Sequence, residues 1–350
     1  MLIINLTEMT SLKEIKNYLD DCENPLFFFD DDSDGLSSFL LLYKYTESGR
    51  GIAITRPTVD ESYSKKVDEY KPDVIFILDK HKIEQDFVDK INVPIIWIDH
   101  HPVVEIKGVR YFNPIIYNQK NYPTSYWCYE IVKENLWIAM VGIMADWSLA
   151  HFDEFSEKYS DLIKKDIKEP EDLYFGTKFG ILAKLFTFIL KGKASEVKKC
   201  INILTRINDP YEILDRTTPR GKFIYERFEK MNKEYEKILD DALKNSIETK
   251  NILLYTYYSK NTSFTQILAN ELMYKFKDKI IIVARQKNDS IKMSLRTYQK
   301  SRVILPPLIN KAINGLRGRS GGHDHACGGE IDKDDFKTFV DNLEHLLKDL

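Results

Sequence analysis

The chain has 350 residues, of which 43% are hydrophobic, so it can bury a substantial core, and its length favours two or three domains. Its 51 lysine and arginine residues nearly balance 54 acidic residues, and the formal net charge of -3 argues against a polycation that coats nucleic acid over its whole surface. The apolar runs are far shorter than the roughly 20 residues that cross a bilayer, so we expect no membrane-spanning helix and no membrane partner.

Residues 1–8 lack the basic region and the cleavage site of a signal peptide, so we expect a cytoplasmic protein. The four cysteines are far apart and form no CxxC pair. This spacing fits neither a disulfide framework nor a zinc site, and we interpret these residues as reduced thiols.

From about residue 25 to residue 99, short apolar runs alternate with amphipathic segments. This pattern is typical of βαβ units whose parallel strands are buried on both faces. The predicted strands are residues 26–29, 51–55, 74–78 and 95–98. Because ligands bind beyond the carboxyl ends of strands in such sheets, the residues that follow these strands are candidate site residues.

Residues 151–248 show no strand pattern, and long stretches such as 220–249 carry apolar positions three and four apart, which predicts helix. Beyond residue 250 the pattern is mixed, with predicted strands at 252–255, 280–284 and 291–295 and a helix at 264–274. We therefore predict an α/β protein with a parallel-sheet domain at 1–150, a helical insert and connector at 151–249, and a smaller mixed α/β domain at 250–350.

An acidic run follows the first predicted strand and includes Asp30, Asp32 and Asp34. Crowded carboxylates repel one another unless cations neutralise them, and oxygen ligands suit Mg²⁺ or Mn²⁺. The same run could instead be an acidic turn that caps a helix starting near Leu36, since aspartate and serine are good N-cap residues.

Further candidates are Asp79, Asp99, His100 and His101, which follow two other predicted strands, and Asp146. Imidazole is the commonest neutral metal ligand. Taken singly, these aspartates could be element caps and the histidine pair could be a surface pair. The carboxyl ends of parallel strands share one edge of the sheet, however, so the strand-end residues are expected to converge there.

Near the C-terminus, Arg319 precedes the run Gly321-Gly322-His323, in which glycines allow close approach of backbone N–H groups to an anion. Residues 285–319 contain nine basic residues against one acid, which indicates a local anion-binding stripe. The alternatives are a glycine-rich turn between a helix and a strand and a solvated basic face.

These segments resemble the successive motifs of DHH phosphoesterases with a DHH-associated C-terminal domain. Within that family, the motif residues are most similar to those of archaeal RecJ-like proteins. They occur in the family's order: Asp32-Ser33-Asp34-Gly35, Asp79, Asp99-His100-His101, Gly142-Ile143-Met144-Ala145-Asp146 and Gly321-Gly322-His323. Ser294-Leu295-Arg296-Thr297 also looks like the substrate-binding strand of that C-terminal domain.

The resemblance implies two Mn²⁺ or Mg²⁺ ions and an active site in the cleft between the domains. The implied ligands of one ion are Asp34, Asp79, His100 and Asp146. Asp79 would bridge to a second ion held by Asp32, with Asp30 as a further ligand. Asp99 would orient its neighbours and His101 would lie near the scissile phosphate. The implied substrate-binding residues are Ser294, Arg296, Arg319, Gly321, Gly322 and His323.

One position departs from the family pattern. Many relatives have a histidine four residues before the first motif aspartate, where this chain has Phe28. Asp30 would lie on the same strand face two residues on and could substitute, because strand side chains alternate with period two. Without such a replacement, the metal site that this histidine serves would be weakened, and the protein could be a slow enzyme or a binding relative that has lost activity.

The resemblance implies a metal-dependent exonuclease that releases nucleoside monophosphates from single-stranded DNA or RNA. The alternatives are a phosphatase or phosphodiesterase acting on oligoribonucleotides, phosphoadenosine phosphate or cyclic dinucleotides, and a weakly active or inactive replication-associated subunit that binds GINS. Five candidate ligands common to the family are present, and this favours an active enzyme.

Overall fold

The computed structural model describes residues 8–163, 166–259 and 262–348. The chain divides into two units, Met1–Phe228 and Glu229–Leu350. No helix among the described residues is both long and apolar enough to cross a bilayer. The four cysteines are free, and Cys128, Cys200 and Cys327 are buried.

A parallel sheet of six strands organises the first unit, and its strand order is β1-β6-β5-β4-β2-β3. The strands are β1 Glu8–Met9, β2 Leu26–Asp30, β3 Arg50–Ile54, β4 Ile75–Leu78, β5 Ile95–Ile98 and β6 Arg110–Phe112. The four predicted strands are present and shift by one residue at most at either end. The strands β1 and β6 were not predicted, because each has too few residues to show a pattern.

Both faces of this sheet are covered, which explains the continuous apolar strand sequences. Phe28 and Trp97 lie on one face within a buried cluster, while Phe29 stacks on Phe39 on the other face with ring centroids 4.6 Å apart. Helices and short 3₁₀ turns connect the strands. The helices of this unit are α1 Leu12–Asp21, α2 Ser33–Thr46, α3 Ser64–Tyr70, α4 Gln85–Val88, α5 Thr124–Val132, α6 Leu136–Ala145, α7 Phe152–Lys158, α8 Pro170–Gly176, α9 Lys178–Ile189, α10 Ala194–Leu204 and α11 Pro210–Leu214.

Two glycines let helices approach the acidic run and its surroundings. A Cβ atom on Gly35, in the first turn of α2, would lie 2.5 Å from the backbone oxygen of Asp30. A Cβ atom on Gly142 in α6 would lie 2.4 Å from the hydroxyl oxygen of Ser125 in α5. Real Cβ atoms do not come so close to other atoms, so glycine is required for both helices to occupy these positions.

The described part of residues 151–246 is helical apart from turns, as predicted. Helix α12, Pro219–Asn245, ends four residues before the predicted end at residue 249, because β7 begins at Ile247. The remaining helices are α13 Thr265–Lys275, α14 Leu305–Ile313 and α15 Phe336–Leu347.

The second unit contains a mixed six-stranded sheet with the order β11-β12-β10-β9-β8-β7. Strands β8 and β9 are parallel and the other neighbours are antiparallel. One face of this sheet packs against α14 and α15 in a buried apolar cluster. The strands are β7 Ile247–Glu248, β8 Ile252–Tyr258, β9 Ile280–Lys287, β10 Ser290–Arg296, β11 Gly318–His323 and β12 Ala326–Asp332.

Candidate metal centre

Residues from four separate segments converge at the carboxyl edge of the parallel sheet. Donor atoms lie within 4.8 Å of one another in three groups. The first group is Asp34, His100 and Asp146, the second is Asp79, His100 and His101, and the third is Asp30, Asp32 and Asp79. The convergence expected from the ends of β2, β4 and β5 is therefore present, and the end of α6 joins it.

His100 links two of these carboxylates. Its Nε2 atom lies 3.4 Å from Oδ1 of Asp79 and 3.2 Å from Oδ2 of Asp146. Burial disfavours a charged imidazole, but the hydrogen bonds to Asp146 and Asp79 outweigh this effect and raise the pKa of His100 to about 12. A protonated His100 can therefore hold Asp79 and Asp146 together.

Asp34 is fully buried, and the start of a helix fixes both of its oxygens. The backbone N–H of Thr124 donates to Oδ2 at 2.8 Å, and that of Ser125 donates to Oδ1 at 2.9 Å. These are the first N–H groups of α5, where the helix dipole favours negative charge. Burial, followed by the charge of Asp146, nevertheless raises the pKa of Asp34.

Asp146 occupies an electrostatically unfavourable place for a carboxylate. It caps the C-terminal end of α6, where the helix dipole favours cations rather than anions. Its described partner is His100. A divalent cation at this position would compensate both for the dipole and for the nearby Asp34.

Asp79 lies immediately after β4 with a positive φ of 58°, a conformation that aspartate tolerates better than most residues. Its backbone N–H donates to the carbonyl of Ile98, and its Oδ1 accepts a hydrogen bond from the hydroxyl of Thr124 at 3.0 Å. Burial and then the charges of Asp34 and Asp32 raise the pKa of Asp79 well above its ordinary value. The left-handed backbone conformation of Asp79 thus holds its carboxylate close to those of Asp34 and Asp32.

Asp32 serves as the N-cap of α2, since its side chain accepts a hydrogen bond from the N–H of Gly35 at 2.9 Å. It keeps solvent access on one side, yet the dense protein around it and the charges of Asp30, Asp146 and Asp34 raise its pKa to about 8. The capping interpretation and the metal-ligand interpretation of the acidic run are therefore compatible for this residue.

Lys80 contacts Asp30, the residue expected to replace the missing histidine. Phe28 is fully buried in the apolar cluster, and Asp30 follows it two residues along β2. The ammonium Nζ of Lys80 lies 2.6 Å from Oδ1 of Asp30. The carboxylate that could serve as a metal ligand is therefore already paired with a cation.

Asp99 is fully buried and orients His101. Its Oδ1 lies 2.7 Å from Nδ1 of His101, and its Oδ2 accepts the backbone N–H of the same residue at 3.1 Å. Asn113 donates from Nδ2 to the His101 carbonyl at 2.8 Å. Burial opposes the charged imidazole, but the hydrogen bond to Asp99 raises the pKa of His101.

The donor set at this edge fits a divalent metal ion. Several carboxylates with raised pKa values and one imidazole lie close together, and such crowding is costly without a cation. Oxygen ligands with one imidazole suit Mn²⁺, and they also accept Mg²⁺.

The sequence did not indicate the roles of Lys80, Thr124 or Asn113. Lys80 and Thr124 bind Asp30 and Asp79, which are 50 and 45 residues away along the chain. Only the position of Lys80, directly after Asp79, could have drawn attention to it.

In the second unit, four predicted substrate-binding residues share one face of the mixed sheet. Through β12, the register aligns Ser294 of β10 with Gly321 of β11, and Arg296 with His323. Side chains opposite one another in antiparallel strands point to the same face. No atom lies within 4 Å of a Cβ placed on Gly321, so this face has room for a ligand beside the exposed His323.

Gly322 and Arg319 do not contribute to this face in the same way. Gly322 pairs with Cys327, a member of the buried cluster on the opposite face. Its φ of 146° and the 2.3 Å approach of a Cβ to the Ala326 carbonyl explain the glycine. Arg319 shares the face, but its guanidinium lies 3.0 Å from Glu330.

The predicted basic stripe is partly neutralised. Arg317 forms ion pairs with Asp332 at 3.0 Å and Asp335 at 2.9 Å, and these acids lie beyond the segment in which the charges were counted. Arg296 donates to the Asn270 side chain at 2.7 Å, and burial lowers its pKa to about 10. Arg296 thus remains charged and fixed, while Arg317 contributes little net positive charge.

Two family models match separate parts of the chain. The model described as the N-terminal domain of the DHH family matches residues 26–167, and the model described as the DHHA1 domain matches residues 249–349. No curated protein sequence matches this chain.

Three solved structures match 93% or more of the chain at low sequence identity. RecJ from Thermus thermophilus in complex with Mn²⁺ has a TM-score of 0.64 and 13% identity, over 100% of this chain and 56% of that chain. An exonuclease RecJ bound to manganese has a TM-score of 0.59 and 14% identity, over 99% and 96%. A pGpG-specific phosphodiesterase, PggH from Vibrio cholerae, has a TM-score of 0.50 and 14% identity, over 93% and 97%. Such identities show a shared fold, and the chain spans only about half of the Thermus thermophilus RecJ chain.

Proposed function

We propose that this chain, which belongs to the DHH family and carries a C-terminal DHHA1 domain, is a metal-dependent phosphoesterase that cuts single-stranded DNA or RNA and releases nucleoside monophosphates. The observation that carries the proposal is the convergence of Asp34, His100 and Asp146 with Asp79 at one sheet edge. A protein without metal chemistry would gain nothing from carboxylates whose pKa values are raised by burial and mutual repulsion.

We assign one ion to Asp34, Asp79, His100 and Asp146. A second would be held by Asp79 and Asp32, with Asp30 nearby. When bound, divalent ions would activate water and neutralise charge on the phosphate.

The protein residues around the ions position the reacting groups. The N–H groups of Thr124 and Ser125 fix Asp34, so this ligand needs no reorganisation on metal binding. Asp99 fixes the His101 ring through Nδ1, and the hydrogen bond raises the pKa of His101 and so favours the charged imidazole. His101 can therefore donate a proton or a hydrogen bond from Nε2 to a phosphate oxygen.

In the DHHA1 domain, we assign substrate binding to the sheet face that carries Ser294, Arg296, Gly321 and His323. The half-buried guanidinium of Arg296 is held by Asn270, so it provides a fixed charge rather than a mobile one. Arg319 and Gly322 are weaker candidates, because one is paired with Glu330 and the other faces the opposite side.

A groove of about 960 Å³ in the first unit favours a polymeric substrate over a mononucleotide. It includes Asp31, which lies between the candidate ligands Asp30 and Asp32, and it extends along β3 and α10. Its lining combines three acids with five cations, which are Lys44, Arg50, Lys66, Lys198 and Arg206. A backbone that leaves the metal centre could follow this path, since single strands bind in grooves with cationic and aromatic side chains.

The test is digestion of 5′- or 3′-labelled single-stranded DNA and RNA of several lengths with Mn²⁺. Asp79→Ala and His100→Ala should abolish mononucleotide release. The exposed residues Asp86 and His345 provide matched controls, and Asp86→Ala and His345→Ala should retain activity.

Other outcomes would redirect the assignment. Cleavage restricted to dinucleotides or smaller compounds, regardless of chain length in the mixture, would select the small-nucleotide phosphodiesterase. Intact substrates of every length, with Mn²⁺ bound, would contradict the nuclease proposal and favour a binding role in replication, for which GINS would be the first partner to test.

A further inference from the structure

Lys80 places a fixed positive charge inside the carboxylate cluster. Its side chain is almost fully buried, with 1% of the residue exposed. Its ammonium donates to Asp30 Oδ1 at 2.6 Å, to the Arg56 carbonyl at 2.8 Å and to the Ile54 carbonyl at 3.5 Å. An ammonium has three donors, so each donor has an acceptor.

The backbone of Lys80 is fixed as well. Its carbonyl accepts a hydrogen bond from Nε1 of the buried Trp97 at 2.8 Å. The residue therefore cannot leave the cluster by a simple side-chain rotation into solvent, since both its backbone and its charged end are held within the protein.

This arrangement occupies one oxygen of Asp30. Oδ1 accepts from the Lys80 ammonium and also from the backbone N–H of Asp31 at 3.0 Å. A metal ion at the third donor group must therefore use Oδ2 of Asp30, close to an ammonium of like charge, or displace the lysine. Both routes weaken binding.

The first donor group differs in this respect. Asp34 accepts neutral N–H donors from Thr124 and Ser125, and Asp146 pairs with His100. An imidazole nitrogen is itself a metal ligand, whereas the Lys80 ammonium has only donors and places its positive charge 2.6 Å from Asp30.

We propose that Lys80 makes the two metal positions unequal. The position formed by Asp34, His100 and Asp146 with Asp79 binds its ion first and tightly. The position formed by Asp30, Asp32 and Asp79 binds a second ion more weakly, at higher metal concentration. The inference rests on the proposed function, because it specifies how the same centre is loaded.

Phe28 acts in the same direction as Lys80. It offers no ligand atom at the position two residues before Asp30 on β2, and its ring is buried against Phe87 and Tyr63. The second position thus receives no ligand from this residue and has one competing cation, which limits the fully loaded state to metal-rich conditions.

The test is Mn²⁺ titration of the full chain by isothermal calorimetry, with electron paramagnetic resonance to count free ions and detect paired ones. For the wild type we expect two dissociation constants that differ at least tenfold. Lys80→Met, of similar volume, should tighten the weaker site at least tenfold. Lys82→Met, at a half-exposed neighbour on the same loop, should leave both constants unchanged.

Two equal constants in the wild type, or a Lys80→Met protein that binds like the wild type, would overturn the inference. If Lys80→Met does not fold, Lys80→Arg provides a second test. This variant keeps the positive charge, so two equal dissociation constants in Lys80→Arg would also contradict the inference. Failure to bind any Mn²⁺ would overturn the proposed function too. Unequal Mn²⁺ binding without cleavage of any substrate would support the inference while the nuclease proposal fails.

Discussion

Addition of Mn²⁺ should stabilise the protein against heat, and the stabilisation should grow between pH 6 and pH 8. The reason is that the metal-free site holds protons that an ion must displace. The pKa of His100 is raised to about 12 by Asp146 and Asp79, and that of Asp32 is raised to about 8 by burial and neighbouring carboxylates. Metal binding therefore releases protons, and it becomes tighter as protons become scarcer.

The size of the stabilisation by Mn²⁺ follows from the thermodynamic linkage of folding to metal binding and proton release. An ion at 100 times its dissociation constant stabilises the folded state by about 2.7 kcal/mol, which corresponds to a rise in melting temperature of about 5–10 °C for a unit of roughly 200 residues. Each displaced proton tightens apparent binding about tenfold per pH unit, or about 1.4 kcal/mol. His100 alone accounts for one proton over this whole range.

The metal-free protein should show the opposite trend. Both groups have pKa values above those of the unfolded chain, so the stability that they contribute is present at low pH and is lost as pH rises toward the folded-state values. From pH 6 to pH 8 the melting temperature in chelator should fall, while the gain from Mn²⁺ increases.

Differential scanning fluorimetry at fixed free Mn²⁺, with EDTA as reference, measures both trends. His100→Ala should remove most of the shift, whereas His345→Ala in α15 should preserve it. A shift in melting temperature that is independent of pH, or one that survives in His100→Ala, would refute the assignment of His100 as a ligand whose proton the metal ion displaces.

Gly35→Ala should cost about 1–3 kcal/mol of unfolding free energy in urea, because its Cβ would meet the backbone of β2; Gly321→Ala, with open space around it, should cost little. Asp99→Asn should reduce kcat about 10–100-fold, with Mn²⁺ affinity changed less, because the carboxylate orients His101; an unchanged kcat would contradict this role. Arg296→Ala should raise KM for single strands, while the Mn²⁺ affinity measured by calorimetry stays the same. A variant that loses affinity for the single strand and for Mn²⁺ to the same extent would instead be misfolded.

The sequence was a good guide to the strands because their signal is local. Residues 75–78 and 95–98 are continuous apolar runs, and all eight residues are buried. Strand β11 is different, since Gly318–His323 has few side chains that favour a strand and forms through backbone pairing with β12. Such pairing depends on a partner whose register no local pattern reveals.

The convergence of the candidate ligands was predictable for the same topological reason, because parallel strands end at one edge. The charge balance near the C-terminus was not, since Arg317 and Arg319 meet acids of β12 and the turn that follows it. A charge count over a segment ignores partners that folding brings in from outside that segment.

Lys80 shows most clearly what a motif comparison leaves out. A motif specifies which ligands are present, and the motif residues of this chain include Asp79 but not Lys80. The folded chain places that side chain against Asp30, 50 residues earlier, where it competes with a metal ion for the same carboxylate. The ligand set therefore indicates which ions can bind, whereas the residues between the ligands decide how tightly and in which order they do so.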